Sequence, residues 1–342
     1  MTNLTRAHDE LFRRTPDECF ESLGHLFEHC RRQKEASAER WAPPSDFAAT
    51  VDAGGLTLKL GTDGASLMMN DWSFGQLCKL SGVAKETVNR LSPATARQVF
   101  AETLPAGSKP LHLFTQGSSL RSLHGTNYTR LYNADLVQAL RKFEPDFRPP
   151  DKAFNGATGL YAGEQDLFCF LIDPVGWIEI EGEAFSPGFF VWNSEVGRRS
   201  FGIQTFWLQA VCQNHIVWDA TEVIEFTRKH TASVNDSMTE MCRLIEGLVQ
   251  KRDQRKDAFA SVIAKAMQTK LGDNSDEILK KLASHGVTRS LARQALEFAE
   301  RRGRFTLFTL VDALTRLSGE VVNAGDRTAA DETAGALLAL AA

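Results

Sequence analysis

The sequence predicts an α+β fold: N-terminal helices with a helix-turn-helix-like pair, a central mostly antiparallel sheet, and an all-helical C-terminal module. Three observations carry this. Short β-rich runs separated by turn residues crowd the middle of the chain, strand-like runs cease at about Ser233, and from there onward apolar residues recur at helical spacing. The 342-residue length and 43% hydrophobic content suffice for a packed core in one large domain or two. The expected division is an N-terminal helix in 1–45, an α+β core in 46–232 that includes the paired helices at 72–91, and a helical module in 233–342.

Thr15-Pro16-Asp17-Glu18 has the form of a helix start, with Thr15 as cap, Pro16 in the first turn and Glu18 completing a capping box. That helix is expected to run to about Ala36, with Cys19, Leu23, Leu26, Phe27 and Cys30 on one face and His25 and His29 on the other. The two histidines have the spacing of metal ligands, but no cysteine or carboxylate clearly shares their face, so they read as exposed or interface residues. Pro43 and Pro44 break the chain, and Leu56 to Leu60 alternates as a strand before the turn Gly61-Thr62-Asp63-Gly64.

Trp72 to Leu91 has helix-turn-helix spacing: Cys78 is the small residue of the first helix, Gly82 the turn, and Val88 and Leu91 the apolar anchors of the second. The segment resembles the headpiece of bacterial repressors, whose second helix enters the DNA major groove. Here that helix would run from Lys85 to Leu91 and present Lys85, Glu86, Thr87, Asn89 and Arg90. Two crossed helices also serve as plain scaffold, and Glu86 opposes a DNA role. From Asp71 to Lys142 there are nine Lys or Arg against four acids, a net of +5 in a chain of net −4, leaving −9 for the remainder. Such asymmetry is the footprint of a region that faces a polyanion, while the near-neutral total opposes indiscriminate nucleic-acid coating.

Ser92-Pro93-Ala94-Thr95 starts a further helix through Glu102. Strands are then expected at Leu111 to Thr115, Leu120 to His124, Gly159 to Tyr161, Leu167 to Ile172, Trp177 to Glu181, Gly188 to Asn193, Gly202 to Leu208 and His215 to Trp218, with one helix, Ala134 to Phe143, capped by Asn133. The C-terminal helices fall at Val234 to Val249, Ala258 to Leu271, Asp276 to His285, Ser290 to Arg302, Thr306 to Leu317 and Thr328 to Leu340. Basic runs lie at Lys251 to Lys256 and Arg301 to Arg304; most such runs are solvated faces.

Six cysteines without a CxxC pair, and an N-terminus without a charged-then-apolar leader, point to a reducing cytosol. No stretch approaches the roughly 20 apolar residues that cross a bilayer. There is no phosphate-binding Gly-x-x-x-x-Gly-Lys-Ser loop, no DxD or HxH pair, and no cofactor or metal is expected. Cys212 and His215 would point to different faces of a strand, so a thiol nucleophile with its base is not expected there, and Cys212 reads as packing. Glu164, Asp166 and Asp173 flank a strand, as acids in turns commonly do.

The densest block of polar chemistry is Val-Trp-Asn-Ser-Glu-Val-Gly-Arg-Arg-Ser at Val191 to Ser200. It is followed by Ala210-Val211-Cys212-Gln213-Asn214-His215 and Phe226-Thr227-Arg228-Lys229-His230-Thr231. With Gly125 to Asn133 upstream and Phe305 to Thr315 near the end, these pieces resemble the phage- and plasmid-like proteins grouped as domain of unknown function 932. The resemblance spans roughly residues 70 to 340. Members usually carry Asn-Gly-Met or a similar turn after the cysteine, where this chain has Gln213-Asn214-His215, and an aromatic-acidic pair where it has Leu314 to Leu317. The resemblance implies a mobile-element setting and work on replicating, recombining or defended DNA.

From the residues themselves, Asn193, Glu195, Arg198 and Arg199 read as a binding loop. Each arginine offers a planar fork to phosphate or carboxylate, and Glu195 would position one of them. An internal Glu–Arg pair that stabilises a turn explains the same residues. Tyr128 and Trp192 would stack on bases or belong to the core. The expectation is a non-catalytic DNA-binding protein of a mobile element, acting in replication, recombination or annealing on single- or double-stranded DNA, with monomer and homo-oligomer both left open. Its expected nucleic-acid contacts are Lys85, Thr87, Asn89, Arg90, Arg121, Tyr128, Arg130, Arg198, Arg199, Arg228 and Lys229. The alternative is a protein-interaction module that binds its partner through the C-terminal helices; an unrecognised hydrolase or nuclease is the third reading.

Overall fold

In the computed structural model of the chain, the described residues are 10–52, 55–61, 64–152, 158–209, 214–216, 226–230, 234–301 and 305–341. Chain from Glu10 is extended and enters a two-residue strand, β1 (Glu18–Cys19), and α1 (Leu23–Glu35) begins only where Ser22 accepts the amide hydrogen of His25. The expected start at Thr15 is thereby corrected. Asp17 instead accepts from Arg14 and from the distant amide of Ala324, and Cys19 pairs with a later strand, so tertiary partners override the local signal. The buried face of α1, Leu23, Leu26 and Cys30, is the one expected.

A first sheet is built from β2 (Ser37–Ala42), β3 (Phe47–Asp52), β4 (Gly55–Leu60) and β5 (Ser66–Met69), then β6 (Leu111–Gln116) and β7 (Ser119–His124). Three helices intervene: α2 (Asp71–Leu80), α3 (Lys85–Val88) and α4 (Pro93–Thr103). The strand order is β2-β6-β7-β5-β4-β3, antiparallel except for β5 with β7. Leu56, Leu58, Leu60, Leu67, Leu113 and Leu120 line one face and pack against Phe74, Leu77 and Cys78 of α2 and Phe100 of α4. The sequence foreshadows β4 by its alternation, and β6 and β7 as β-rich runs. The edge strands β2 and β3 keep several residues in solvent on both faces, so their sequences carry no clean two-residue period.

A second, larger sheet follows α5 (Asn133–Leu140): β8 (Leu160–Ala162), β9 (Leu167–Ile172), β10 (Ile178–Ile180), β11 (Glu183–Asn193), β12 (Phe201–Gln209), β13 (Asn214–Ile216) and β14 (Phe226–Arg228). The order is β1-β8-β9-β11-β12-β13, with β10 beside β11 and β14 beside β12, all antiparallel. Both faces are buried. Leu167, Cys169, Leu171, Phe189 and Val191 face α1, α5 and α6 (Val234–Gln250), whereas Phe168, Phe170, Phe190, Trp192 and Phe206 form an aromatic layer on the other side. The remaining helices are α7 (Arg252–Gln268), α8 (Ser275–Ser284), α9 (Arg289–Arg301), α10 (Leu307–Ser318) and α11 (Ala324–Ala336). They share one core with Phe185, Trp207 and Ile216 of the sheet, where Trp207 stacks on Phe259 with centroids 4.0 Å apart. Among the described residues no helix is long and apolar enough to cross a membrane.

In that helical core Asp331 is fully buried, accepts from Ser318 Oγ, and lies 3.8 Å from Arg327. Burial pushes its carboxyl up to about 7 against the Arg327 charge. A raised acid contributes stability fully below its unfolded value of about 4 and loses it as pH rises to its folded value. Asp331→Asn is therefore expected to remove a loss of stability between about pH 4 and pH 7. Urea midpoints of wild type and variant at both ends of that window check this; a difference between the two proteins that does not change with pH counts against it.

Candidate nucleic-acid interface

The turn between β11 and β12 is the meeting point of both sheets, and its geometry follows from Glu195. This carboxylate is 2% exposed. Its Oε2 receives Arg121 Nη1 of β7 at 2.9 Å and its Oε1 the amide of Asn133 at 2.8 Å. A carboxylate at the first turn of α5 is favoured by the helix dipole. The backbone carbonyl of Glu195 accepts from the Tyr128 hydroxyl at 3.0 Å and from Arg130 Nη1. Neighbouring residues add to the anchorage. Asn193 Nδ2 donates to the Leu131 carbonyl and to Asn133 Oδ1, Ser194 Oγ donates to the Gln165 carbonyl, and Trp72 Nε1 of α2 donates to the Val196 carbonyl.

Gly197 closes this turn at φ +71°, a left-handed conformation suited to glycine. A Cβ there would lie 2.6 Å from His124 Cε1 and 2.9 Å from Tyr128 Cε2, so the backbone runs directly against these rings. The rings of His124 and Tyr128 stack at 3.7 Å, and His230 lies over Tyr128 at 5.3 Å. Burial, followed by the Arg130 charge, pushes His124 down to about 3. Burial likewise lowers His230 to about 4. Both imidazoles are neutral at pH 7, and the stack is an uncharged wall.

Two depressions adjoin along this wall and share Gly125 and Gly197. One, of about 390 Å³, is lined by Asn127, Tyr128, Arg198, Arg199, Ser200, Lys229 and His230. The other, of about 790 Å³, is bounded by Asp71, Trp72, Gln76, Lys79 and Lys85 on the α2–α3 side and by Leu123 and His124 on the sheet side. Among the described residues, together they make a groove with five cationic side chains, Lys79, Lys85, Arg198, Arg199 and Lys229, drawn from segments up to 150 positions apart in the chain, against one lining acid, Asp71. Lys79 and Lys229 are exposed, Lys85 reaches Asp71 at 2.7 Å, and Arg198 and Arg199 meet Asp166 and Asp326.

Of the expected contact residues, the structure gathers Lys85, Tyr128, Arg198, Arg199 and Lys229 in this groove. Three others are corrected. Asn89 is 6% exposed, and its side chain forms a reciprocal pair with the Phe12 backbone at 2.8 and 2.9 Å. Arg121 is consumed by Glu195, and Arg130 by Glu39 at 3.0 Å and the Glu195 carbonyl; both guanidinium groups lie over the Phe114 ring. Glu195 therefore pairs with Arg121 and with neither Arg198 nor Arg199. Thr87 and Arg90 are exposed but lie outside the groove lining, and the side chain of Arg228 is outside the described residues. The turn at Gly82, the buried small residue Cys78, the buried anchor Val88 and the partly buried anchor Leu91 match the motif spacing, whereas α3 is a single turn, Lys85–Val88, instead of a helix to Leu91. Asn133 is the first residue of α5 and not its cap. Lys79 was missed as a site residue; its signal was membership of the basic 71–142 segment.

Neither aromatic platform is available for stacking. Tyr128 has imidazoles over its ring, and Trp192, 9% exposed, packs on Phe190 in the aromatic layer. Asp173 accepts from the amides of Val175 and Gly176 and pairs with Arg252. Burial raises Glu164, as does the nearby Asp71. No group of three or more His, Cys, Asp or Glu among the described residues is placed to hold a metal. Cys212 and Arg302 to Arg304 lie outside the described residues.

Removing the Glu195 carboxylate leaves Arg121 buried without its partner, a change that typically costs about 3–5 kcal/mol. Glu195→Ala is expected to lower the unfolding free energy by that amount in denaturant titration, while Arg90→Ala, at an exposed position, stays within about 0.5 kcal/mol of wild type. Equal, small effects would show that Glu195 does not hold the two sheets together. No family model, curated protein or solved structure gives a significant match to this chain.

Proposed function

We propose that the chain is a non-catalytic DNA-binding protein that holds a strand by its phosphates along the groove between α2 and the β11–β12 turn. The observation that carries this reading is the convergence of Lys79, Lys85, Arg198, Arg199 and Lys229 on two adjoining depressions that form one groove. Phosphate contacts of this kind supply affinity without sequence information, and the covered ring of Tyr128 leaves the backbone as the part of the strand that the groove can grip. A single helical turn with Asn89 turned inward offers less to base edges than the seven-residue helix expected from the motif. The setting we propose for this activity, from the sequence resemblance to the phage- and plasmid-like proteins, is replication, recombination or annealing on a mobile element.

The test is fluorescence anisotropy with single-stranded and duplex oligonucleotides at two salt concentrations. Lys79→Gln and Lys229→Gln are each expected to weaken binding alike across sequences and to make the salt slope shallower by about 0.7 to 0.9. Arg90→Glu is expected to bind as wild type. Loss of binding in Arg90→Glu alone would move the DNA onto the α2–α3 pair, and no binding by the wild-type protein in either strand form would favour the protein-interaction reading.

A further inference from the structure

Arg198 and Arg199 share two carboxylates of unlike character. Asp166, whose side chain is fully buried, takes Arg198 Nη1 at 2.9 Å, Arg14 Nη2 at 3.4 Å and Arg199 Nε at 3.5 Å. Burial raises its pKa, while the three arginines pull the other way. Asp326, in the first turn of α11 and about half exposed, meets the outer nitrogens instead: Arg198 Nη2 at 3.4 Å and Arg199 Nη2 at 3.6 Å. Gly325 permits that approach, since a Cβ on it would lie 2.7 Å from Arg199 Nη2. One carboxylate therefore fixes the two forks from inside the protein, and the other bridges them from the solvent side.

Two pre-oriented guanidinium groups bridged by an exchangeable oxyanion have the chemistry of a phosphate site. We infer that Arg198 and Arg199 form a phosphate subsite at the 390 Å³ end of the groove, and that the Asp326 carboxylate is an internal occupant which a strand phosphate displaces. The two contacts differ in the required way. Asp166 is desolvated and its closest contact is short, so it keeps the forks aimed whether or not a ligand is present. Asp326 is half-exposed and its contacts are long, and ion pairs of that kind contribute little and are screened by salt. A phosphodiester offers two charged oxygens to the same pair without the constraint of the α11 backbone. The site thus carries a built-in competitor that sets the affinity threshold for the strand.

This inference rests on the DNA reading of the groove, and the experiment separates the two. Full-length wild type, Asp326→Asn, Asp326→Glu, Glu332→Gln and Asp326→Asn with Arg198→Gln are compared by anisotropy with a fluorescent oligothymidylate at low salt, and by thermal shift with inorganic phosphate. Asp326→Asn is expected to bind the strand tighter by about 1.4- to fivefold, the span that loss of an exposed ion pair covers. Asp326→Glu stays near wild type because a carboxylate remains, and Glu332→Gln, which removes the same charge two turns along α11, changes binding far less. The added Arg198→Gln cancels the gain. An unchanged or weaker Asp326→Asn, or an equal gain in Glu332→Gln, overturns the subsite while leaving the groove reading intact. If no protein binds the strand, the DNA reading fails and the phosphate titration decides: extra stabilisation of Asp326→Asn over wild type supports the subsite, and none overturns it.

Discussion

A carboxylate buried away from water is costly without partners, and the two that Glu195 finds, Arg121 and the Asn133 amide, organise the centre of this molecule. Its side chain ties β7 of the first sheet to the start of α5, and its carbonyl ties the same turn to Tyr128 and Arg130. Two sheets that share no ladder are thereby joined through one residue of a hairpin turn. Because the pair with Arg121 is desolvated, either partner left alone would be costly, and this makes the junction specific as well as strong.

With the turn held in place, the chain that follows has little choice. Gly197 runs against the His124–Tyr128 stack, and Arg198 and Arg199 emerge where Asp166 waits at the start of β9. The same arginines reach the first turn of α11, and Asp17 caps that turn by accepting from the Ala324 amide. The N-terminal segment, the larger sheet and the last helix thus close around one charge cluster beside the groove. Burial of the sheet on both faces supplies the rigidity beneath it, with aliphatic side chains toward α1, α5 and α6 and aromatic ones on the opposite side.

Local signals read well wherever neighbours in sequence are also partners in space. Ser92-Pro93 starts α4 as expected, with Ser92 accepting from the Thr95 amide, and the C-terminal helices fall within a few residues of their predicted spans, apart from the starts of α7 and α11. The signals failed where a distant group supplied the partner. Thr15 yielded to Ser22 because Asp17 is engaged by Arg14 and α11, and Asn133 yielded its capping role to Glu195, 62 positions away. In the candidate site, residue type alone marked Arg121, Arg130, Arg198 and Arg199 as equal cations. Burial separates the first two, which are structural, from the second two, which border the groove.

The α+β class, the change from strands to helices near residue 233, the Gly82 turn and the cationic stock of the 71–142 segment are legible in the chain alone, because periodicity, turn chemistry and charge are properties of short windows. Packing settles which cations share a surface, that Asn89 turns inward to the Phe12 backbone, and that Glu195 pairs with Arg121. Those outcomes depend on desolvation and on contacts across tens to hundreds of positions, and both are set only when the two sheets and the last helix have packed.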